Sequence, residues 1–399
     1  MVSISTVSTV STGTRPGIVL FALALGGFAI GTSEFATMSL LPFMAQGLGI
    51  DEATASRLIS AYALGVVVGA PLIAVAAAHI ERRLLLVGLM GMFCFTHLLS
   101  AFAPTYQLML LGRFLSGMPH GAYFGVAALM AASLAGPGHR GKAVARLMLG
   151  LTIATIVGVP FANVLGQTVG WRWAFALVSV LAAVTAVMIL AFAPQSAKGG
   201  GSNALQELDA LKNRQVLLTL LSGAIGFGGF FAFYTYLAST LIDVTQVHEA
   251  SIPFYLALMG VGMTLGTLLA GWAADRALNF SVFATLGVNI VLMLLFPLIA
   301  AQPYAMAGLV LALGLANGYP LLLQTRLMDV ARDAQSLAAS LHHAAFNAAN
   351  ALGPFVASIY IAKGYGFTSA GYVGAALTFG GVVLYTITVL DYRRSWQGR

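Results

Sequence analysis

The chain has 399 residues, of which 59% are hydrophobic and only 8% charged, and its mean hydropathy is +0.91. Soluble domains carry about 25% charged residues, so a water-soluble globule is excluded and a polytopic membrane protein is expected. The formal net charge of +7 does not describe a nucleic-acid surface, because the basic residues are spread over short loops between apolar spans, where membrane topology accounts for them.

Residues 1–16 read as a disordered tail, since positions 1 to 14 form an uncharged Ser/Thr/Val run. From Gly17 an apolar segment of about 28 residues follows; a secretory signal has a shorter core, so this is a first membrane helix that stays attached. Further apolar spans lie near 54–78, 84–103, 106–135, 143–168 and 173–193. Residues 194–214, PQSAKGGGSNALQELDALKNR, then mix a Gly/Ser-rich linker with a short polar helix. Beyond it come spans near 215–241, 251–274, 280–301, 304–327, 336–362 and 368–390, with residues 392–399 as a tail. The expected fold is an all-α membrane protein with twelve transmembrane helices in two six-helix pseudo-repeats, 17–193 and 215–391.

Lysine and arginine bias in short loops sets orientation. About fifteen basic residues, among them Arg82, Arg83, Arg140 and Arg276, fall on one side against Arg57, Arg172 and Lys363 on the other, which places both termini and the linker in the cytoplasm. The halves resemble each other in order: Pro160-Phe161 and Pro354-Phe355 hold matching places, each followed about ten residues later by a Gly-aromatic pair, Gly170-Trp171 or Gly364-Tyr365. Repeats of this kind put a transporter's substrate site at their interface, near the midplane. The 45 glycines suit closely packed membrane helices, and the single cysteine, Cys94, excludes an intramolecular disulfide.

The first span carries GTSEFATMSLLP, with one carboxylate, Glu34, in hydrocarbon. Such a charge costs at least about 2.5 kcal/mol and is functional by default; the alternative is a structural carboxylate locking two helices. Counted at 1.5 Å per residue, Glu34 lies about 16 Å and Arg113 about 12 Å below the outer ends of helices 1 and 4. An intramembrane acid and base at one depth are expected to meet, directly or through water, because each alone is an uncompensated buried charge. A permanent salt bridge is the other reading of the pair.

Helix 4 continues with Gly117, His120 and Phe124 on the stripe of Arg113, so His120, with Tyr123 beside it, is assigned to a substrate cavity. His97 in helix 3 is read as packing. Phe227, Phe230, Phe231 and Tyr234 recur at helical spacing in helix 7; Phe230 and Tyr234 are candidate cavity walls, although aromatic stripes also serve packing. Helix 10 adds Asn317 and Gln324 as polar anchors. In helix 11, His343, Asn347 and Asn350 share a face that also suits interhelical hydrogen bonding. Gly150, Gly158 and Gly166 of helix 5 repeat every eight residues around Pro160 and predict a close, slightly bent helix contact.

Enzyme readings find little support: Ser116 and His120 are one turn apart, but no G-x-S-x-G elbow and no H-E-x-x-H motif occurs. No phosphate-binding G-x-x-x-x-G-K-[ST] motif is present either, and no metal or cofactor is expected.

The six-plus-six pattern, the basic turn between helices 2 and 3, the arginine of helix 4 and the Gly/Pro-rich helix 5 resemble the major facilitator superfamily, in particular its twelve-helix drug and sugar proton antiporters. GTSEFATMSLLP, Glu-Arg-Arg at 81–83, LGRFLSGMPHGAYFG at 111–125, GVPFANVLGQTVGWRWAF at 158–175 and HHAAFNAANALGP at 342–354 together resemble bacterial efflux permeases grouped around arabinose export and chloramphenicol resistance. The resemblance covers nearly the whole chain. It implies a monomer in a bacterial inner membrane that exports a drug-like compound or sugar in exchange for protons by alternating access, with Glu34 as proton site and Arg113 in the coupling machinery. A proton-independent facilitator is the other transport reading, and it leaves Glu34 without evident purpose.

The family's loop pattern after helix 2 is degenerate here: Arg82 and Arg83 match its basic end, but Glu81 replaces a glycine and Ala77 an aspartate. The second copy, after helix 8, keeps Gly271, Asp275 and Arg276, and the cytoplasmic latch is expected there. Helix 5 matches the family's export motif only in part.

Overall fold

In the computed structural model, the structure is described for residues 16–77, 79–135, 139–195, 213–331 and 335–397. The expected tail before Pro16 and nearly all of the 194–214 linker lie outside these residues. Nine stretches among the described residues are long and apolar enough to cross a bilayer. Two of them, Lys142–Phe192 and Glu249–Ile299, are 51 residues long. At 1.5 Å per residue each would run about 76 Å, more than twice the ~30 Å of a hydrocarbon core, so each makes two passes. The breaks are local: Gly170 takes φ 118° and ψ 145°, and Ala277 takes φ −158° and ψ 67°. Tyr106–Leu134, at 29 residues, also spans, though Arg113, His120 and its glycines make it less apolar. The passes then number twelve.

In chain order they are α1 Pro16–Ser39, α2 Arg57–Ala76, α3 Arg82–Ala101, α4 Tyr106–Leu134, α5 beginning with Arg140–Ile153, and α6 Trp171–Phe192. The second half has α7 beginning with Arg214–Gly226, α8 and α9 as the parts of Ile252–Ile299 before and after Ala277, α10 beginning with Pro303–Leu315, α11 Gln335–Tyr360 and α12 Ser369–Gln397. Helix α12 runs through Gln397, into the segment expected to be a tail. Caps mark several starts: Asp51 accepts from the Thr54 amide at 2.8 Å ahead of α2, and Asn213 from the Gln215 amide at 2.9 Å ahead of α7.

Helix α5 is irregular rather than smoothly bent. Wider π turns at Ala154–Gly158 and Gly166–Gly170 bracket Val159–Leu165, the segment containing Pro160, whose ring cannot join a regular ladder. The three glycines spaced by eight all face α1. A Cβ on Gly150 would overlap the Ala24 carbonyl oxygen, one on Gly158 the Thr32 hydroxyl, and one on Gly166 a Leu40 methyl. The second half repeats the device, since a Cβ on Gly353 of α11 would overlap the Gly228 carbonyl oxygen of α7.

Gly170 turns the chain between α5 and α6 in a region that is essentially glycine-only. Gly170→Ala is expected to cost about 1–3 kcal/mol, read as a lowered unfolding midpoint in detergent. An unchanged midpoint would show that the turn relaxes freely.

The two halves join toward the end of the bundle opposite the linker. Gln167 donates to the Glu249 carbonyl at 2.9 Å, Ser60 to the Ala351 carbonyl at 2.9 Å, and the Ser239 hydroxyl meets the Glu52 carboxylate. Gly260 of α8 presses against the Thr155 backbone of α5.

Candidate functional site

Glu34 projects from α1 into the seam between the halves and is 3% exposed. Its Oε1 accepts a hydrogen bond from Asn350 Nδ2 of α11 at 3.0 Å. A direct bond to Arg113 is not made, so of the two expected arrangements the direct one is excluded: the two are close enough to feel each other's charge, but their side chains bond elsewhere. The reason is azimuth. Consecutive residues on a helix point about 100° apart, so Glu34 faces α11 while Ser33 faces α3 and α4.

Arg113 is fully buried. Its Nη1 donates to Ser33 Oγ at 3.1 Å, and its guanidinium lies 4.2 Å over the Tyr62 ring and 5.6 Å over the Phe175 ring. Its Nε and Nη2 have no hydrogen-bond partner among the described residues. His97, read from sequence as packing, belongs to this cluster: its Nε2 is 2.6 Å from Ser33 Oγ and its Nδ1 is 2.8 Å from the Phe93 carbonyl. A carbonyl only accepts, so Nδ1 carries the proton and Nε2 accepts from the Ser33 hydroxyl. The donors therefore run from Arg113 to Ser33 to a neutral His97. The sequence signal for His120 is its place on the stripe of Arg113, which His97, on another helix, does not share; the one mark His97 carries in the sequence is a polar ring in an apolar span.

His120 is 3% exposed, and its Nδ1 is hydrogen-bonded to the Tyr62 hydroxyl at 2.9 Å. Tyr62 of α2 thus holds both ends of the α4 stripe, with Arg113 over its face and His120 at its hydroxyl. Ser116 donates instead to the Arg113 carbonyl at 2.9 Å, so Ser116 and His120 form no dyad. Tyr123 is also corrected: its hydroxyl donates to the Leu23 carbonyl at 2.8 Å and its ring packs on Gly26, which places it inside the first half rather than on a cavity between halves.

The α7 aromatics gather at the seam around Phe35, the residue after Glu34. Phe230 and Tyr234 stack at 5.5 Å, and Tyr234 meets Phe35 edge-on at 5.8 Å. Phe346 of α11 packs 4.7 Å from Phe227 and 5.1 Å from Phe231. Asn317 lies at the break in α10 between Pro303–Leu315 and Tyr319–Ala331, its backbone N–H donating to the Gly314 carbonyl at 2.9 Å. No described contact brings Asn317 or Gln324 to Glu34. The hydroxyl of nearby Tyr319 is tied to Ser222 within the second half.

At the linker end, Arg83 of α3 donates to the Leu190 carbonyl of α6, while Arg82 is half-buried. Arg276 stacks 3.9 Å over Trp272 and donates to that residue's carbonyl at 3.0 Å. Asp275 is exposed and, among the described residues, makes no ion pair; Gly271 lies where a Cβ would touch Leu321. Gly271, Asp275 and Arg276 precede the break at Ala277, and no described bond ties Asp275 to Arg276.

The Major Facilitator Superfamily model matches residues 23–332. The chain is 38% identical over 357 residues to the inner membrane transport protein YdhP of Escherichia coli (strain K12), covering 89% of this chain and 92% of that protein. It is 35% identical to a chloramphenicol resistance protein of Streptomyces lividans, covering 85% and 88%. Among solved structures, a bacterial homolog of the human lysosomal transporter Spinster, in an inward-facing and unoccupied conformation, superposes with a TM-score of 0.66 at 14% identity, over 94% of this chain and 96% of that one. At that identity the likeness is one of fold.

Proposed function

This chain belongs to the Major Facilitator Superfamily, and from that premise we propose that it exports a small organic molecule from the cytoplasm in exchange for protons, by alternating access of its two halves. The observation that carries the reading is the Glu34–Asn350 hydrogen bond, 3.0 Å long, between a buried carboxylate of one half and an amide of the other. Rocking the halves apart at this depth breaks that bond. The proton affinity of a carboxyl depends on its hydration and on the charges beside it, so a motion that changes either surrounding changes proton affinity. Charge and conformation are then linked as an antiporter requires, since a ligand shifts such an equilibrium only through its differential affinity for the two states.

The aromatic wall of Phe35, Phe230, Phe231, Tyr234 and Phe346 supplies an apolar site with Glu34 and Asn350 as polar anchors, which suits a drug-like or ring-shaped cargo. The protein works as a monomer in the inner membrane, with both termini on the cytoplasmic side, as the loop charges argue. Asp275 and Arg276 form the latch that closes the linker end once the cavity opens outward.

Purified protein in liposomes with an imposed pH gradient tests this reading. Chloramphenicol, L-arabinose and tetraphenylphosphonium are the probes. Gradient-driven accumulation of at least one of them, abolished by a protonophore, is the expected result. Equilibration that ignores the gradient would make the chain a facilitator instead.

A further inference from the structure

Two histidines outside the Glu34 bond lie on a common path toward the linker end. His120 is seven residues beyond Arg113 on α4, and His343 is seven residues before Asn350 on α11. Each offset is two helical turns, about 10 Å. Because α4 runs toward the linker end and α11 runs away from it, both offsets point the same way. The two rings share one neighbour: Phe124 lies 5.4 Å from His120 and stacks on His343 at 6.0 Å and 5°. His343 is within electrostatic reach of His120 and is half-buried, whereas His120 is enclosed. His120 Nδ1 is bonded to Tyr62, whose charge neighbours are Glu34 and Arg113.

A second observation marks the same route. The side-chain oxygens of Asn347 and Asn350 are buried on the face of α11 that runs from His343 to Glu34, and among the described residues neither has a donor. Two orphaned acceptors in a membrane interior are costly, and they suit a passing protonated donor.

We propose that His343, His120 and Tyr62 form a reversible proton path between Glu34 and the linker-side end of the seam: in the export cycle it discharges Glu34 to the cytoplasm, and an excess of protons on that side drives the same steps backwards. A proton arriving at His343 passes to His120 Nε2, with water bridging the space beside Phe124. The Nδ1 proton of His120 moves to the Tyr62 oxygen, and the Tyr62 hydroxyl proton moves by way of bridging water to the Glu34 carboxylate, which is a charge neighbour of Tyr62 without a direct hydrogen bond to it. One proton has then left solution and one carboxylate has been neutralised, while both imidazoles and the phenol end neutral. The titratable groups around this path are Arg113 from α4, His97 through Ser33 from α3, Tyr234 from α7 and His342 beside His343 on α11.

The path rests on the proton-coupled reading above, and its test separates the two. Full-length protein in lipid is followed by infrared spectroscopy after a light-triggered release of protons, and Glu34→Gln identifies the carboxyl band of Glu34. In wild type the band should rise promptly. In His343→Gln and Tyr62→Phe it should rise at least tenfold more slowly while reaching the same final amplitude. Should His120→Gln fold poorly, Tyr62→Phe reads the same step with only a hydroxyl removed. A band that rises at the wild-type rate in both variants overturns the path and leaves the Glu34 reading standing. Absence of the band in wild type overturns both.

Discussion

Glu34→Gln is expected to abolish proton-coupled transport while leaving a folded protein. In proteoliposomes at matched protein levels, gradient-driven accumulation of the responsive probe should fall at least tenfold, and probe-induced proton movement should fall to background. The structure explains why the fold survives. Glutamine has nearly the volume of glutamate, and its side-chain oxygen can still accept from Asn350 Nδ2, so the 3.0 Å bond across the seam is kept. The amide cannot take up a proton, so only the change of charge is lost. Arg113 does not depend on Glu34 for its contacts, because it donates to Ser33 and lies over Tyr62. Removing the carboxylate therefore leaves its hydrogen bond and ring contact in place. Wild-type proton and substrate fluxes in the variant would make Glu34 structural.

The same residues show how far the sequence could be read. Hydrophobic length is a property of the chain alone, so the spans and the burial of Glu34 were legible from it. The glycine period of eight was legible too, because any such period returns to nearly one helix face. The partner of Glu34 was not. Counting residues from a helix end gives depth, and Glu34 and Arg113 do share a depth, but depth says nothing of direction around the helix. Ser33 and Glu34 are adjacent in the chain and serve opposite neighbours, Ser33 toward His97 and Arg113, Glu34 toward Asn350. Tyr62 was invisible for a similar reason: an aromatic in an apolar span carries no mark of the two charged groups that converge on it. Tyr123 was drawn into the cavity by its nearness to His120 in sequence, whereas its hydroxyl satisfies a carbonyl of α1.

Gly150→Val should be the most damaging single change to folding outside the charged cluster. At this position α1 and α5 touch backbone to backbone. An added Cβ would overlap the Ala24 carbonyl oxygen and lie 2.9 Å from both the Ala24 carbonyl carbon and the Phe28 nitrogen. None of these atoms belongs to a flexible side chain, so the helices must separate as rigid bodies. Separation also loosens the contacts that Gly158 makes with Thr32 and Gly166 with Leu40, since all three glycines lie on one ladder. Overpacking ordinarily costs about 1–3 kcal/mol, and a whole helix contact is at stake here. Membrane helices are held by close packing rather than by expulsion of water, so the loss is not recovered elsewhere. The yield of monodisperse protein in detergent should drop at least fivefold. Gly88→Val is the control, because nothing lies within 4 Å of a Cβ at that exposed site on α3; it carries the same change in helix propensity and should behave as wild type. Gly353→Val extends the test to the second half, where the Gly228 carbonyl oxygen takes the place of Ala24. If the two halves are built on one packing plan, Gly150→Val and Gly353→Val should fail alike. A Gly150→Val protein as abundant and as stable as Gly88→Val would remove the glycine ladder from the account of how α1 is held.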